Sequence, residues 1–197
     1  MTKRAGSSHR ERFSQLDIAV ISRRNDHGEE LIRALQKTRA RVQHIWPMPD
    51  EIPVEYDVVF CDLVDDLPQR LKGVPGNSPT AVIVVIPANA TIDHALLENC
   101  TPHGILHIPC TPEAAVNNLS VGRSNFLYER RLRKRIEKLD ENLRAMKIIE
   151  QAKVIMMQRD NISEEEAYRQ LRRKAMHRRV TIGSLASAIV DSQDILG

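Results

Sequence analysis

The chain has 197 residues, 42% hydrophobic and 28% charged, the balance of a folded protein with space for one domain of about 120 residues and a smaller one. Aromatic residues make up 4%, too few for an ordinary β-sandwich. The three cysteines, irregularly spaced, exclude a disulfide framework and fit a reducing, cytoplasmic compartment. The net charge of +3 is unevenly spread: residues 1–119 hold 12 bases and 15 acids, residues 120–179 hold 17 and 9, and residues 180–197 hold none and 2. The middle segment is therefore where a polyanionic partner would be gripped.

Residues 1–14 are basic and serine-rich without the apolar stretch of a secretory signal, and read as a disordered tail. From Leu16 strand and helix signals alternate. "LDIAVIS" (Leu16–Ser22) is a buried-strand run and "GEELIRALQKT" a helix. "RVQHIW" alternates in polarity, and "YDVVFCDL" (Tyr56–Leu63), "AVIVVI" (Ala81–Ile86) and "GILHI" (Gly104–Ile108) are further strands, with "TIDHALLENC" helical between the last two. The longest apolar run, Ala81–Ile86, is too short to cross a bilayer, so no membrane span is expected. Strands separated by helical patterns predict βαβ units around a five-stranded parallel sheet over residues 15–119: an α/β, flavodoxin-like fold with order 2-1-3-4-5. The Pro- and Gly-rich stretch Asp65–Pro79 leaves room only for a short helix between strands three and four.

Helix follows from "TPEAAVNNL", with Thr111 as N-cap and Pro112 at the first helical position. Over residues 120–147 Leu132, Ile136, Leu139, Leu143 and Met146 are spaced 4, 3, 4, 3 among charged neighbours. This narrow seam is the a/d pattern of a coiled coil and predicts a homodimer, parallel or antiparallel. Residues 148–197 divide into three helical pieces that predict a small three-helix bundle. Ile148, Ile149, Ala152, Ile155 and Met156 line the first. Ser163 opens the second as N-cap, with Glu166 placed to complete a capping box. "IGSLASAIV" is the third, apolar at Ile182, Leu185, Ala186, Ile189 and Val190.

The α/β half resembles a response-regulator receiver domain. Asp62, at the end of "DVVFCDL", stands where such a domain accepts a phosphoryl group. The supporting chemistry is missing. "SRRN" (Ser22–Asn25) puts two arginines where acids would hold Mg²⁺, "VIPAN" offers no hydroxyl, and "HIPC" has Ile108 in place of the lysine. Asp62 is therefore expected to be an unphosphorylated strand-end carboxylate paired with Arg23 or Arg24. Cys100, His103, His107 and Cys110 have the chemistry of zinc ligands, but a strand would separate the pairs, so no metal site is expected. Without a nucleophile–base pair or a phosphate loop, neither catalysis nor a cofactor is expected.

The helical end, "QAKVIMMQRDNISEEEAYRQLRRKAM" followed by "IGSLASAIV", resembles the ANTAR domain of transcription antitermination regulators. The matching positions are Ala152-Lys153, Met156, Glu164 to Glu166, Ala167-Tyr168, Leu171-Arg172, Ala175-Met176 and Ala186. "HIWPMPDEIPVEYDVVF" and the acid-less receiver extend the likeness over nearly the whole chain, toward regulators of aliphatic amidase operons. The resemblance implies a protein that binds leader mRNA hairpins and prevents termination. It also implies control by a ligand-sensing repressor resembling a periplasmic amide-binding protein, in place of a kinase.

The residues carry the same reading independently. "AYRQLRRKAMHRR" (Ala167–Arg179) holds six Lys or Arg and one His with no acid. On a wheel of about 100° per residue, Ala167, Leu171, Ala175 and Tyr168 share the core face, where Tyr168 is expected to pack. Arg169, Arg172 and Arg173 occupy the next arc. The expected RNA-binding set is Lys153, Tyr168, Arg169, Arg172, Arg173, Arg178 and Arg179. A DNA-binding response regulator and a protein-interaction adaptor are the alternatives. The first would need its recognition helix to enter DNA behind three glutamates; the second would leave the basic segment without a role.

Overall fold

The computed structural model describes residues 13–71, 78–87 and 89–196, with side chains as far as Gln193. The described chain forms two compact units, one through Arg130 and the other from Arg131.

The first unit is built on β1 (Asp17–Ile21), β2 (Arg41–Ile45), β3 (Val58–Asp62), β4 (Ala81–Pro87) and β5 (Gly104–Ile108). All pair in parallel in the order β2-β1-β3-β4-β5. The three central strands are almost wholly apolar because helices cover both faces. Ile18, Val20, Phe60, Ile83 and Val85 meet Leu31 and Leu35 of α1 (Asp26–Gln36) and Ala115 and Leu119 of the long helix on one side. Ala19, Ile21, Val59, Cys61, Val82, Val84 and Ile86 meet Leu67 of α2 (Leu67–Arg70) and Cys100 of α3 (His94–Cys100) on the other. Phe13, placed by the sequence in a disordered tail over residues 1–14, is buried in the first cluster; residues 1–12 of that expected tail lie outside the described residues. The helix in the Pro/Gly-rich stretch is four residues long, and residues 72–77 of that stretch also lie outside the description.

Two helices start where capping dictates. Asn25 accepts from the Gly28 N–H at 2.8 Å and sets the start of α1 two residues before the apolar pattern suggested. Asp93 accepts from the Ala95 and Leu96 amides and holds α3 to seven residues, shorter than the ten of the sequence pattern.

α4 (Pro112–Asp160) is a single helix of 49 residues, opened by Thr111 Oγ1 accepting from the Ala114 N–H. In the second unit its end joins α5 (Glu164–Arg178) and α6 (Ile182–Leu196). Ala152 and Met156 of α4, Ala167, Leu171 and Ala175 of α5, and Leu185 and Ala186 of α6 form the shared core. Small alanines on all three helices let the backbones approach closely. Among the described residues no helix is long and apolar enough to cross a membrane.

Candidate RNA-binding interface

The α5 segment is anchored at both ends. Ser163 caps its start, accepting from the Glu166 N–H at 3.3 Å. Only this half of the expected capping box forms, because the Glu166 carboxylate is taken by Arg169 at 3.3 Å and by Gln170. At the other end Arg179 adopts left-handed backbone angles (φ 55°, ψ 36°). Its N–H donates to Met176 O at 3.2 Å and the Val180 N–H donates to Ala175 O at 3.1 Å. This is the paired bonding of a Schellman turn, with arginine where glycine is usual. The next helix starts two residues later, where Thr181 Oγ1 accepts from the Ser184 N–H.

Between these anchors Ala167, Leu171 and Ala175 face the core and the bases face solvent. The expected RNA-binding residues separate into two groups. Lys153, on α4, is only 7% exposed. Its Nζ lies 2.8 Å from Glu150 Oε2 and 2.6 Å from Glu164 Oε1, so it ties α4 to the first turn of α5. These bonds raise the Lys153 pKa above its usual value and lower that of Glu164. Arg169 is exposed but held by Glu165 at 3.1 Å and by Glu166. Tyr168 does not pack as expected: it is 43% exposed and opens on a hollow shared with Glu164 and Glu165. Carboxylates thus neutralise the N-terminal half of the helix.

The C-terminal half is different. Arg172, Arg173, Lys174, His177, Arg178 and Arg179 are all exposed, and none forms an ion pair among the described residues, although Lys174 lies in the field of Asp160. Arg173, Lys174, His177 and Arg178 line a shallow hollow of about 350 Å³. Lys174 and His177 were missing from the sequence-derived set, although both lie inside the basic run. Of the arc expected from the helical wheel, Arg169, Arg172 and Arg173, the acids occupy only Arg169. Unpaired guanidinium and ammonium groups gathered around a concave surface suit phosphate contacts.

The seam residues Leu132, Ile136, Leu139, Leu143 and Met146 are 43–63% exposed in the single chain. An apolar row of this length on one helix is costly to leave in water.

In the first unit Asp62 ends β3 as expected, but its partner differs from the one anticipated. Neither guanidinium pairs with it; the Arg23 backbone N–H donates to Asp62 Oδ2 at 3.1 Å. Asp62 Oδ1 is buried without a hydrogen-bond partner, as is Ser22 Oγ. Burial pushes the Asp62 pKa up, and the Arg23 N–H only partly opposes this. Arg23, whose backbone meets this carboxylate, and Arg24 occupy the sequence positions where acids would hold the Mg²⁺ of phosphoryl transfer. Around the four metal-type residues, His103 Nδ1 accepts from the Val82 N–H at 3.0 Å and its Nε2 lies 3.4 Å from Glu129. Its ring also meets Phe126 edge-on at 5.3 Å, so it fastens β5 to its neighbours.

A receiver-type parallel sheet with arginines in place of its metal-binding acids, joined to a helical bundle with bases on one surface, defines a receiver-like regulator with a nucleic-acid-binding output. The chain belongs to the AmiR family: the AmiR N-terminal model matches residues 16–123, and the ANTAR domain model matches residues 137–190. It is 24% identical over 184 residues to the aliphatic amidase regulator of Pseudomonas aeruginosa, covering 91% of this chain and 93% of that one. Among solved structures, the response regulator StyR is similar in fold at 12% identity, with 89% of this chain and 98% of that one covered and a TM-score of 0.54. The receiver domain of the NarL regulator from Mycobacterium tuberculosis is 18% identical, covering 56% of this chain and 97% of that one, with a TM-score of 0.43.

Proposed function

We propose that the protein is an RNA-binding transcription antitermination regulator. It grips stem-loops in leader mRNA through the C-terminal half of α5 and so favours read-through over termination. The observation that carries this reading is the separation of charge along α5. Acids neutralise Arg169 near the helix start, while Arg172, Arg173, Lys174, Arg178 and Arg179 remain unpaired at its end. An RNA backbone would contact the second half and be repelled by Glu164 to Glu166 at the first. The same glutamates disfavour the DNA reading, in which the start of a recognition helix enters the major groove.

The exposed seam of α4 supports a homodimer, and two copies would present two basic surfaces to one leader. Control by a protein partner fits the receiver-like unit better than control by a kinase. Arg23 and Arg24 replace the metal-binding acids, and burial disfavours the ionised Asp62 that phosphorylation requires. The partner expected from the family resemblance is a ligand-sensing repressor of the periplasmic amide-binding type, working in the cytoplasm.

The test is binding of the full chain to an RNA stem-loop and to a DNA duplex of equal length at several salt concentrations. The proposal expects salt-sensitive binding with the RNA preferred, and weaker RNA binding by Arg172→Ala and Arg173→Ala variants that stay dimeric. Tighter binding to the DNA duplex would refute it, and no salt-sensitive binding to either would favour an adaptor.

A further inference from the structure

The basic end of α5 carries apolar groups that no packing role accounts for. Met176 is 70% exposed and Val180 46% exposed, and neither belongs to the bundle core. Arg172 and Arg173 stand four and three residues before Met176, so they share its helix face. Arg179 follows it in the Schellman turn, and Val180 comes next. An apolar pair is thus set in a frame of three unpaired guanidinium groups.

The backbone adds an independent observation. Arg179 holds a left-handed conformation (φ 55°) that glycine would adopt without strain. The Schellman turn requires a left-handed residue here, and with arginine in that place it fixes where a guanidinium leaves the end of the helix. The helix ends at Arg178, two residues past Met176, and the turn sets Arg179 directly before Val180.

We propose that Met176 and Val180 form a platform for unpaired bases of an RNA loop, with Arg172, Arg173 and Arg179 holding the flanking phosphates. This inference rests on the RNA-binding reading and deepens it by assigning loop recognition, as distinct from backbone grip, to particular residues. Charge selects the occupant: an apolar protein surface docked here would strip water from three cations without replacing it. A single-stranded loop brings phosphates for the cations and base faces for the apolar pair. A fully paired stem keeps its bases stacked and offers the platform nothing.

The experiment uses the full chain with two probes, a pool of RNA stem-loops sharing one stem with randomised loops, and a blunt RNA duplex of that stem. Met176→Ser and Val180→Ser are expected to weaken stem-loop binding about tenfold and to lose enrichment of particular loops. Duplex binding and the salt dependence are expected to stay at the wild-type level, and Met176→Leu should retain loop binding. Serine variants that bind stem-loops like the wild type, while Arg172→Ala is impaired, would overturn the platform and leave the RNA reading intact. Equal losses on both probes, or a changed oligomeric state with unchanged RNA affinity, would also overturn it. Failure of the wild-type chain to bind any RNA would sink the RNA reading itself.

Discussion

Replacing Arg179 by glycine should make the helical unit more stable and its RNA binding weaker. At φ 55° and ψ 36° the residue lies in the left-handed region, which costs a side-chain-bearing residue about 1–2 kcal/mol. Glycine removes that strain but returns about 0.5–1 kcal/mol through its greater freedom in the unfolded chain. Arg179 is exposed and forms no ion pair among the described residues, so little else is lost. The net gain is about 0.5–1 kcal/mol. Native-state hydrogen exchange of the full chain reads this locally, at the amides of α5 and at Val180, which donates to Ala175 O. Exchange there should slow by roughly two- to fivefold. In parallel, the slope of log affinity for an RNA stem-loop against log salt should flatten by about 0.7–0.9, the contribution of one phosphate contact. Faster exchange would mean that the arginine stabilises the turn by more than its strain costs. An unchanged affinity and slope would remove Arg179 from the RNA surface.

Three further outcomes follow from the geometry. Lys153→Met should lower the melting temperature of the helical unit, because it removes the ion pairs to Glu150 and Glu164, the second of which ties α4 to α5, yet leave the RNA salt slope unchanged; a flatter slope would return Lys153 to the RNA surface. Because the folded pKa of Glu164 is depressed and that of Lys153 raised, their pair contributes stability above about pH 4.5 and below about pH 10.5. Thermal melts across pH should therefore show the variant's deficit closing as pH falls below the first limit or rises beyond the second. Asp62→Asn should stabilise the sheet unit at neutral pH. The raised folded pKa of Asp62 means that the native state binds the extra proton, so stability falls as pH rises from the ordinary value of 3.8 through the folded one. Denaturant melts should show the variant's advantage opening over that window, and an advantage constant with pH would contradict it. If two copies pair through the seam as proposed, Leu139→Asp should weaken dimerisation by roughly a hundredfold or more, since each copy would lose a leucine from that interface. Sedimentation equilibrium should then find monomers at concentrations where the wild type is dimeric, and a variant that still dimerises would move the interface off the seam.

The sheet was legible because its strands are buried on both faces and so read as unbroken runs such as "AVIVVI", separated by helical patterns. The Ser163 cap and the apolar faces of α5 and α6 were legible for the same local reason. What escaped the sequence was pairing at a distance. Glu150, three residues before Lys153, hinted at a partner, but Glu164 reaches it only once α5 folds back against α4. Lys153 therefore read as a base open to RNA. Tyr168 sat at the edge of the core arc on the wheel, and only the positions of the neighbouring helices leave its ring open. The orphaned oxygens of Ser22 and Asp62 depend on packing at the end of β1 and β3, which strand patterns do not encode. The strain at Arg179 did have a signal: helix α5 ends in "HRRV" with no glycine or asparagine at the position that needs a left-handed residue.

The most direct test of the account is the salt dependence of full-chain binding to an RNA stem-loop, measured for the wild type and for a variant with Arg172, Arg173, Lys174, Arg178 and Arg179 all changed to alanine. The five unpaired bases predict a slope of about −3.5 to −4.5 for one basic surface in the wild type, and near-complete loss of it in the variant. A variant that keeps the wild-type slope and affinity would show that this end of α5 does not hold the RNA.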